Sequence, residues 1–547
     1  MTSDIRAAYS NRSLFITGGT GFVGKAVIEK LLWTVEDIGD IYLLVREKKE
    51  LSPEQRFQPF LDDCIFERIR SYKKHMLDKI KFINGDILNE NLGISEEDRA
   101  MLAEKVSIII HSAATVRFDE PLHLAMTMNL GGTVKIYELA KTFKQLDVMV
   151  HVSTAYANCD MSATEEIVYP VQLEPLKLLE LTSWVNEEQF DEVSPILLGK
   201  KPNTYTYTKA LAESYLVTQT KDTDFPLIIV RPSIIGAMWA DPLPGWADNL
   251  NGPTAIFTAV GTAALTNMMG SVKAKADIVP VDIVSNTVII AAIDRINKKP
   301  TETPVIHCTS GDLNPLYWET VVFFLEQFFK KFPMSKTYGV PSTNFHMHRF
   351  AFNIYNYTKH FSFAQLGDLM YLFNPDKQRF VKAYHRVVKL ADTLTFFTTR
   401  GWDFKTDNLQ KLMNNLSETD RAIYNCDIKQ LNWEAYLFDY VMGIKRYVFV
   451  EEVDDFSQAR WRLNFHRVQR QLTSATIYFL LVNIIGRKWS YKTKWIAWLS
   501  GFLTTYSITE INWRRRIPLK SLEQYKKEIS PFVYPDRKPM KKKINLP

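Results

Sequence analysis

The chain has 547 residues, of which 46% are apolar and 23% charged; this excludes a disordered or fibrous protein and allows about two to four globular domains. The net charge of +6 is too mild to argue for a nucleic-acid partner, and much of the basic excess falls late, in Arg514-Arg515-Arg516 and Lys541-Lys542-Lys543. The four cysteines, Cys64, Cys159, Cys308 and Cys426, are scattered without a CxxC spacing, which gives no metal or disulfide framework and fits a reducing compartment. Met1-Thr2-Ser3-Asp4 opens no secretory signal, so the expected working compartment is the cytosol.

Seven short apolar runs read as strands in chain order: Ser13–Ile16, Asp40–Val45, Ile80–Ile83, Val106–Ile110, Val148–Val152, Pro226–Val230 and Pro304–Ile306. Helical periodicity separates most of them, beginning with Lys25–Trp33. Nearly continuous apolar strands alternating with helices predict an α/β, Rossmann-like, doubly wound parallel sheet covered on both faces. Val340-Pro341-Ser342-Thr343-Asn344 reads as a linker, and the chain beyond it reads as mainly helical to about residue 450. The expected division is residues 1–335 for the sheet domain, 350–450 for the helical domain, 465–512 for an apolar membrane-associated tail and 513–547 for a basic C-terminal segment. The tail holds two uncharged runs, Gln471–Gly486 and Trp495–Thr509, with the basic stretch Arg487–Lys494 between them. Each is shorter than the roughly 20 residues of a spanning helix. Trp and Tyr near their ends and Lys/Arg beside them predict an embedded hairpin, an interfacial anchor or one imperfect transmembrane span.

The first strand runs into Thr17-Gly18-Gly19-Thr20-Gly21-Phe22-Val23-Gly24 and then a helix. Gly18 permits a tight turn, Gly21 lets backbone approach a pyrophosphate, and Gly24 lets the helix pack on the strand. Thr17, Thr20, Phe22 and Val23 share this turn, and the helix N-terminus offers unpaired N–H groups to phosphate. After the second strand an NAD protein usually carries Asp or Glu, but this chain has Val45-Arg46-Glu47-Lys48-Lys49. Arg46, with Lys48 or Lys49, suits the 2′-phosphate of NADPH. Asp86-Ile87 after the third strand suits the adenine edge, and Ala113-Ala114-Thr115 after the fourth lets the cofactor lie close to the backbone.

Tyr205 and Lys209 are four apart in Tyr205-Thr206-Tyr207-Thr208-Lys209 and share a helix face. The lysine is expected to lower the tyrosine pKa, so that the phenol donates a proton to an oxyanion formed by hydride attack. Lys209 also suits the nicotinamide ribose. Ser153 and Thr154 follow the fifth strand, and Thr154 is the expected second hydroxyl on the substrate oxygen. His111 and His151 lack metal-ligand company and read as core or loop residues.

These features together resemble the extended short-chain dehydrogenase/reductases. Arg231-Pro232-Ser233-Ile234-Ile235-Gly236, Pro242-Leu243-Pro244-Gly245-Trp246-Ala247-Asp248-Asn249, Asn314-Pro315-Leu316-Tyr317-Trp318 and Gly443-Ile444-Lys445-Arg446-Tyr447 narrow the resemblance to fatty acyl-CoA reductases, over about residues 12–450. The resemblance implies NADPH-dependent reduction of long-chain fatty acyl-CoA to a primary alcohol, with release of CoA and a retained aldehyde, feeding ether lipid or wax synthesis. It implies Thr154, Tyr205 and Lys209 as catalytic residues and Pro232, Ser233 and Ile234 beside the cofactor. It also implies membrane lipid as a partner, at the peroxisomal membrane facing the cytosol or at the endoplasmic reticulum. Oligomeric state stays open, a homodimer included. Residues 236–270 and the helical domain are expected to cover the substrate, with Trp246 and Phe257 as wall candidates. The rival readings are a membrane-bound reductase of sterols or sugar nucleotides and a non-catalytic NADP-binding scaffold.

Overall fold

The computed structural model describes residues 4–47, 51–298, 300, 302–370, 380–514 and 520–524. Lys48, Lys49 and most of the basic segment 513–547, Lys541-Lys542-Lys543 included, lie outside the described residues. All seven expected strands join one sheet: β1 (Ser13–Thr17), β2 (Ile41–Val45), β3 (Ile80–Asn84), β4 (Val106–His111), β5 (Val148–Val152), β6 (Leu227–Pro232) and β7 (Val305–Cys308). Their order is β7-β6-β5-β4-β1-β2-β3, and every pairing is parallel. Each residue of β2, β4, β5, β6 and β7 is buried, as strands covered on both faces must be. Among the seven strands, only the edge strand β3 has exposed residues, Lys81 and Asn84.

The chain runs outward from β1 to β3 and then returns to β4 on the other side of β1. This reversal is the topological switch point at which open α/β sheets hold ligands. Register aligns Thr17 with His111, His111 with His151 and His151 with Ile229, so one row of residues crosses the sheet near its C-terminal edge. On one face, Phe15, Ile109, Met149 and Ile229 pack in a single core with Ile136, Leu211 and Tyr215. Leu211 and Tyr215 belong to the helix Thr204–Thr220.

The described chain divides into two compact units that interleave along the sequence: residues 1–253, 273–318 and 393–432 form one, and residues 254–272, 319–392 and 433–547 the other. The segment expected to be a linker is packed instead: Val340 and Thr343 are buried, and Thr343 N donates to Glu326 at 2.7 Å. Beyond it the chain is mainly helical, with two short exceptions. Asn344–His346 pairs with Asn267–Met269, and Asp403–Phe404 pairs with Ala163–Thr164.

The two uncharged tail runs belong to longer helices, Ser457–Ile485 and Tyr491–Arg514. They pair as a hairpin through Trp498 Nε1 to Ala475 O at 2.9 Å, Tyr478 Oη with Thr505 Oγ1 at 2.6 Å and Arg467 with Glu510 at 2.8 Å. No described helix is long and apolar enough to cross a membrane, which corrects the transmembrane expectation. The physical reason is that the uncharged run Gln471–Gly486 is short, is broken by Gln471, Thr473, Ser474, Thr476 and Asn483, and is met directly by Arg470 in the same helix.

One buried ion pair ties the helix Thr204–Thr220 to the sheet. Arg231, at the end of β6, is 1% exposed and meets Glu213 through Nε at 2.8 Å and Nη2 at 2.7 Å. Its other donors reach Glu165 O at 3.4 Å, Ile167 O at 2.8 Å and His307 Nε2 at 3.1 Å. All five N–H groups of the guanidinium therefore have acceptors. Removing one partner of such a pair leaves an uncompensated buried charge, at about 3–5 kcal/mol. Glu213→Gln is expected to lower the stability of this unit by that order, read as a shift of the urea midpoint of its tryptophan fluorescence; an unchanged midpoint would refute this account of the pair.

Candidate active site

The glycine turn is shaped for close approach. Gly18 has φ +74°, and a Cβ there would lie 2.7 Å from Ser112 Oγ and 2.8 Å from Ala113 N. A Cβ on Gly24 would fall 2.5 Å from both Gly18 O and Gly19 Cα, so only glycine lets the helix Phe22–Thr34 begin this close to the turn. Gly21 caps that helix without a side-chain hydrogen bond, leaving the first N–H groups to an anion. A cradle that a side chain would fill, at an uncapped helix start, fits a dinucleotide pyrophosphate. Thr20, Phe22 and Val23 are half-buried around it.

Thr17 locks the turn to the next loop. Its Oγ1 meets His111 Nδ1 at 2.7 Å and accepts from Ala113 N at 3.3 Å, while its carbonyl accepts from Ser112 Oγ at 2.8 Å. Thr115 N donates to Asn129 Oδ1 at 2.8 Å, and Asn129 Nδ2 donates to Thr208 Oγ1 at 3.0 Å. Asn129 thus joins the Ala113-Ala114-Thr115 loop to the helix that carries Tyr205. It sits in a π-helical turn, Met126–Gly131, and no local motif marks it.

Arg46 lies just past β2, half-exposed, with Nη1 3.6 Å from Asp86 Oδ2. Asp86 Oδ1 accepts from Leu88 N at 3.0 Å, and Ile87 is buried next to Gly132. Arg46 and Asp86 therefore meet on the β2–β3 side of the switch point. Thr154, Tyr205 and Lys209 gather on the β5–β6 side. The sheet order separates β2 from β5 by three strand spacings, about 14 Å, a span suited to an extended dinucleotide.

Asn203 caps the helix Thr204–Thr220 by accepting from Thr206 N at 2.9 Å, which puts Tyr205 in the first turn and Lys209 and Glu213 at successive four-residue steps. The Tyr205 hydroxyl lies near the Thr154 side chain, whose hydroxyl favours its ionisation. Thr154 Oγ1 also accepts from Tyr156 N at 3.2 Å and faces Pro232 O at 3.4 Å. Ser153 Oγ is buried with no partner among the described residues. Ser233 and Ile234 continue from Pro232 through N–H bonds to Cys308 O and Asp277 O, both 3.1 Å.

The electrostatics differ from the sequence expectation. Burial pushes Tyr205 up to about 12, despite the nearby Thr154 hydroxyl, which favours ionisation. Burial brings Lys209 down to about 8, partly offset by Glu213. Lys209 Nζ donates to Val152 O at 2.9 Å. Desolvation outweighs any help the lysine gives to a phenolate, so at neutral pH the site holds a protonated phenol beside a lysine close to its own titration. A phenol and a hydroxyl converging on one point can bind and protonate an oxyanion.

His111 and His151 are buried with ring centroids 5.3 Å apart. Burial and the Lys209 charge hold both far towards the neutral form. Among the described residues no group of three ligating side chains could hold a metal ion. Trp246 packs 4.9 Å from the Phe22 ring within one compact unit, and Phe257 packs 4.9 Å from Tyr440 within the other.

Residues 16–288 match an NAD-binding module described as male sterility protein, and residues 359–451 match a second module of that description. Two reductase domains of solved structure show the same fold. That of a nonribosomal peptide synthetase from Mycobacterium tuberculosis has a TM-score of 0.54 at 18% identity, covering 81% of this chain and 96% of its own. The terminal R domain of the myxalamid PKS-NRPS biosynthetic pathway has a TM-score of 0.51 at 18% identity, covering 80% and 91%. Curated relatives are nearer in sequence. Fatty acyl-CoA reductase 1 of Rattus norvegicus is 38% identical over 83% of this chain and 88% of its own length. Fatty acyl-CoA reductase 2 of Homo sapiens is 35% identical over 87% and 92%. With that identity over nearly the whole of both partners, the chain belongs to the fatty acyl-CoA reductase family.

Proposed function

We propose that this reductase uses NADPH to carry long-chain fatty acyl-CoA through a retained aldehyde to the primary alcohol. The observation that carries the reading is the convergence of Thr154, protonated Tyr205 and buried Lys209 beside the glycine turn. NADPH bound along the turn supplies hydride. Thr154 and Tyr205 hydrogen-bond the thioester oxygen as it gains charge, and Tyr205 gives it a proton. The hemithioacetal then breaks its C–S bond, releasing the CoA thiol and leaving the aldehyde, which the same hydroxyls present for a second reduction. Lys209 holds positive charge beside the ribose and phenol. Arg46 pairs with the 2′-phosphate, supported by its exposed position beside Asp86 at the end of β2.

The helical hairpin Ser457–Ile485 and Tyr491–Arg514 serves as an interfacial anchor in this reading. Ile484 and Ile485 are 71% and 70% exposed, Leu472, Trp495 and Ile496 are also exposed, and Arg487, Lys488, Lys492 and Lys494 flank the turn between the helices. Substrate and product both partition to bilayers, which suits a catalytic domain on the cytosolic face of the peroxisomal membrane, or of the endoplasmic reticulum, feeding ether lipids or waxes.

Purified protein with NADPH and palmitoyl- or stearoyl-CoA is expected to oxidise two NADPH per CoA released; sterol turnover, or binding without turnover, would overturn the reading. Tyr205→Phe in the same assay should lower kcat/KM by about 10²–10⁴ with NADPH affinity unchanged. Arg46→Ala should weaken NADPH by about tenfold in equilibrium binding and leave NADH unaffected; equal losses for both cofactors would remove Arg46 from 2′-phosphate recognition. Because Lys209 loses its charge as pH rises through about 8, kcat/KM should fall on that alkaline limb. Lys209→Arg, which keeps its charge, should move the limb upward, and a profile identical to wild type would exclude the lysine charge from catalysis.

A further inference from the structure

An aromatic cluster with a partly exposed edge adjoins the two hydroxyls. Its floor is Tyr156, Phe397, Trp402 and Phe404, all buried, and the partly exposed side chains packed against it include Phe118, Ile234 and Phe396. Phe118 stacks on the Tyr205 ring with centroids 5.7 Å apart and planes at 29°, and lies 5.2 Å from Phe397. On the Thr154 side, the Tyr156 ring stands 5.2 Å from Phe397 and 5.3 Å from Trp402.

These rings are held in place. Trp402 Nε1 donates to Cys159 O at 2.9 Å, and the parallel pairing of Asp403–Phe404 with Ala163–Thr164 follows directly. The N–H of Tyr156 bonds the Thr154 hydroxyl, so floor and oxyanion donor share one turn. The rings reach this place from three stretches of chain far apart in sequence.

A carbonyl oxygen that meets both Thr154 and Tyr205 leaves its carbon against what borders those hydroxyls. That border is apolar on both sides, Phe118 over the phenol and Tyr156 beside the threonine, with Phe397 behind both. An alkyl chain laid there sheds water, whereas the amide-bearing arm of CoA would lose hydrogen bonds. We propose that the lip of Phe118, Ile234 and Phe396 over the Phe397–Trp402 floor is the acyl-chain subsite. It takes the methylenes next to the reacting carbonyl and turns the CoA arm the other way. This rests on the reading of Thr154 and Tyr205 as the oxyanion donors.

The test uses the full-length protein and a hexadecanol probe carrying a diazirine near its hydroxyl, irradiated and mapped by peptide mass spectrometry. Adducts on Phe118 or within residues 396–402, competed by palmitoyl-CoA, are expected; adducts only elsewhere, such as on residues 254–272, would overturn the subsite. The mapping does not depend on turnover: labelling here without acyl-CoA reduction would support the subsite and sink the reductase reading, and reduction with labelling only elsewhere would do the reverse. Phe118→Ser should raise KM for palmitoyl-CoA by about tenfold while KM for acetyl-CoA, which has no methylenes beside its carbonyl, moves less and NADPH affinity stays constant. Equal changes for both substrates would overturn the proposal, and Phe118→Leu should restore the palmitoyl-CoA KM.

Discussion

A guanidinium cannot shed its charge in a protein, so burying Arg231 obliges its surroundings to supply an acceptor for every N–H. Those acceptors come from far apart: Glu213 on the helix Thr204–Thr220, the carbonyls of Glu165 and Ile167, and His307 on β7. Because His307 Nε2 accepts from Arg231, its Nδ1 carries the proton and donates to Lys405 O at 2.7 Å. One charge thereby fixes the helix that bears Tyr205, the loop beside Thr164 and the segment that brings in Trp402. The remainder of the site is arranged around these three.

The same pair shapes the electrical character of the site. Glu213 stands one turn beyond Lys209 and is the charge that keeps the lysine from falling further under burial, while its own charge is answered by Arg231. His111 and His151, which also face the lysine, are held neutral and add no charge of their own. With Glu213 answered by Arg231 and both histidines neutral, the Lys209 charge is the one left near the phenol, and burial makes it and small groups aimed at the phenol count for more there than in water.

Features with a local signature were legible in the sequence. All seven strands were visible as short apolar runs, since a strand buried on both faces has no polar position to blur it. The placement of Tyr205 and Lys209 on one helix is legible in their spacing, and the glycine turn in its context between strand and helix. Features built from distant partners were not legible. Glu213 and Arg231 look like ordinary charges until β6 is laid beside the helix, and Asn129 is an unremarked residue in an apolar stretch until its π-turn aims it at Thr115 and Thr208. The raised tyrosine pKa is not legible there, because spacing reports a neighbouring lysine but not the loss of water around the ring. The tail helices outran their uncharged cores because helix length follows backbone hydrogen bonds, not hydropathy alone.

The interleaving of the two compact units has a bearing on how the protein is made. A ribosome delivers the seven-stranded sheet by Cys308, yet the unit that contains it also needs residues 393–432, which emerge only after the intervening stretch 319–392 of the other unit. Until then Tyr156 lacks Phe397 and Trp402, and the Ala163–Thr164 edge lacks its partner Asp403–Phe404. The nascent sheet thus waits with an apolar flank and an open strand edge, the features that invite chaperones and mispairing. For the same reason a cut between residues 335 and 350 does not release a self-sufficient reductase domain: it removes part of that domain's own aromatic floor.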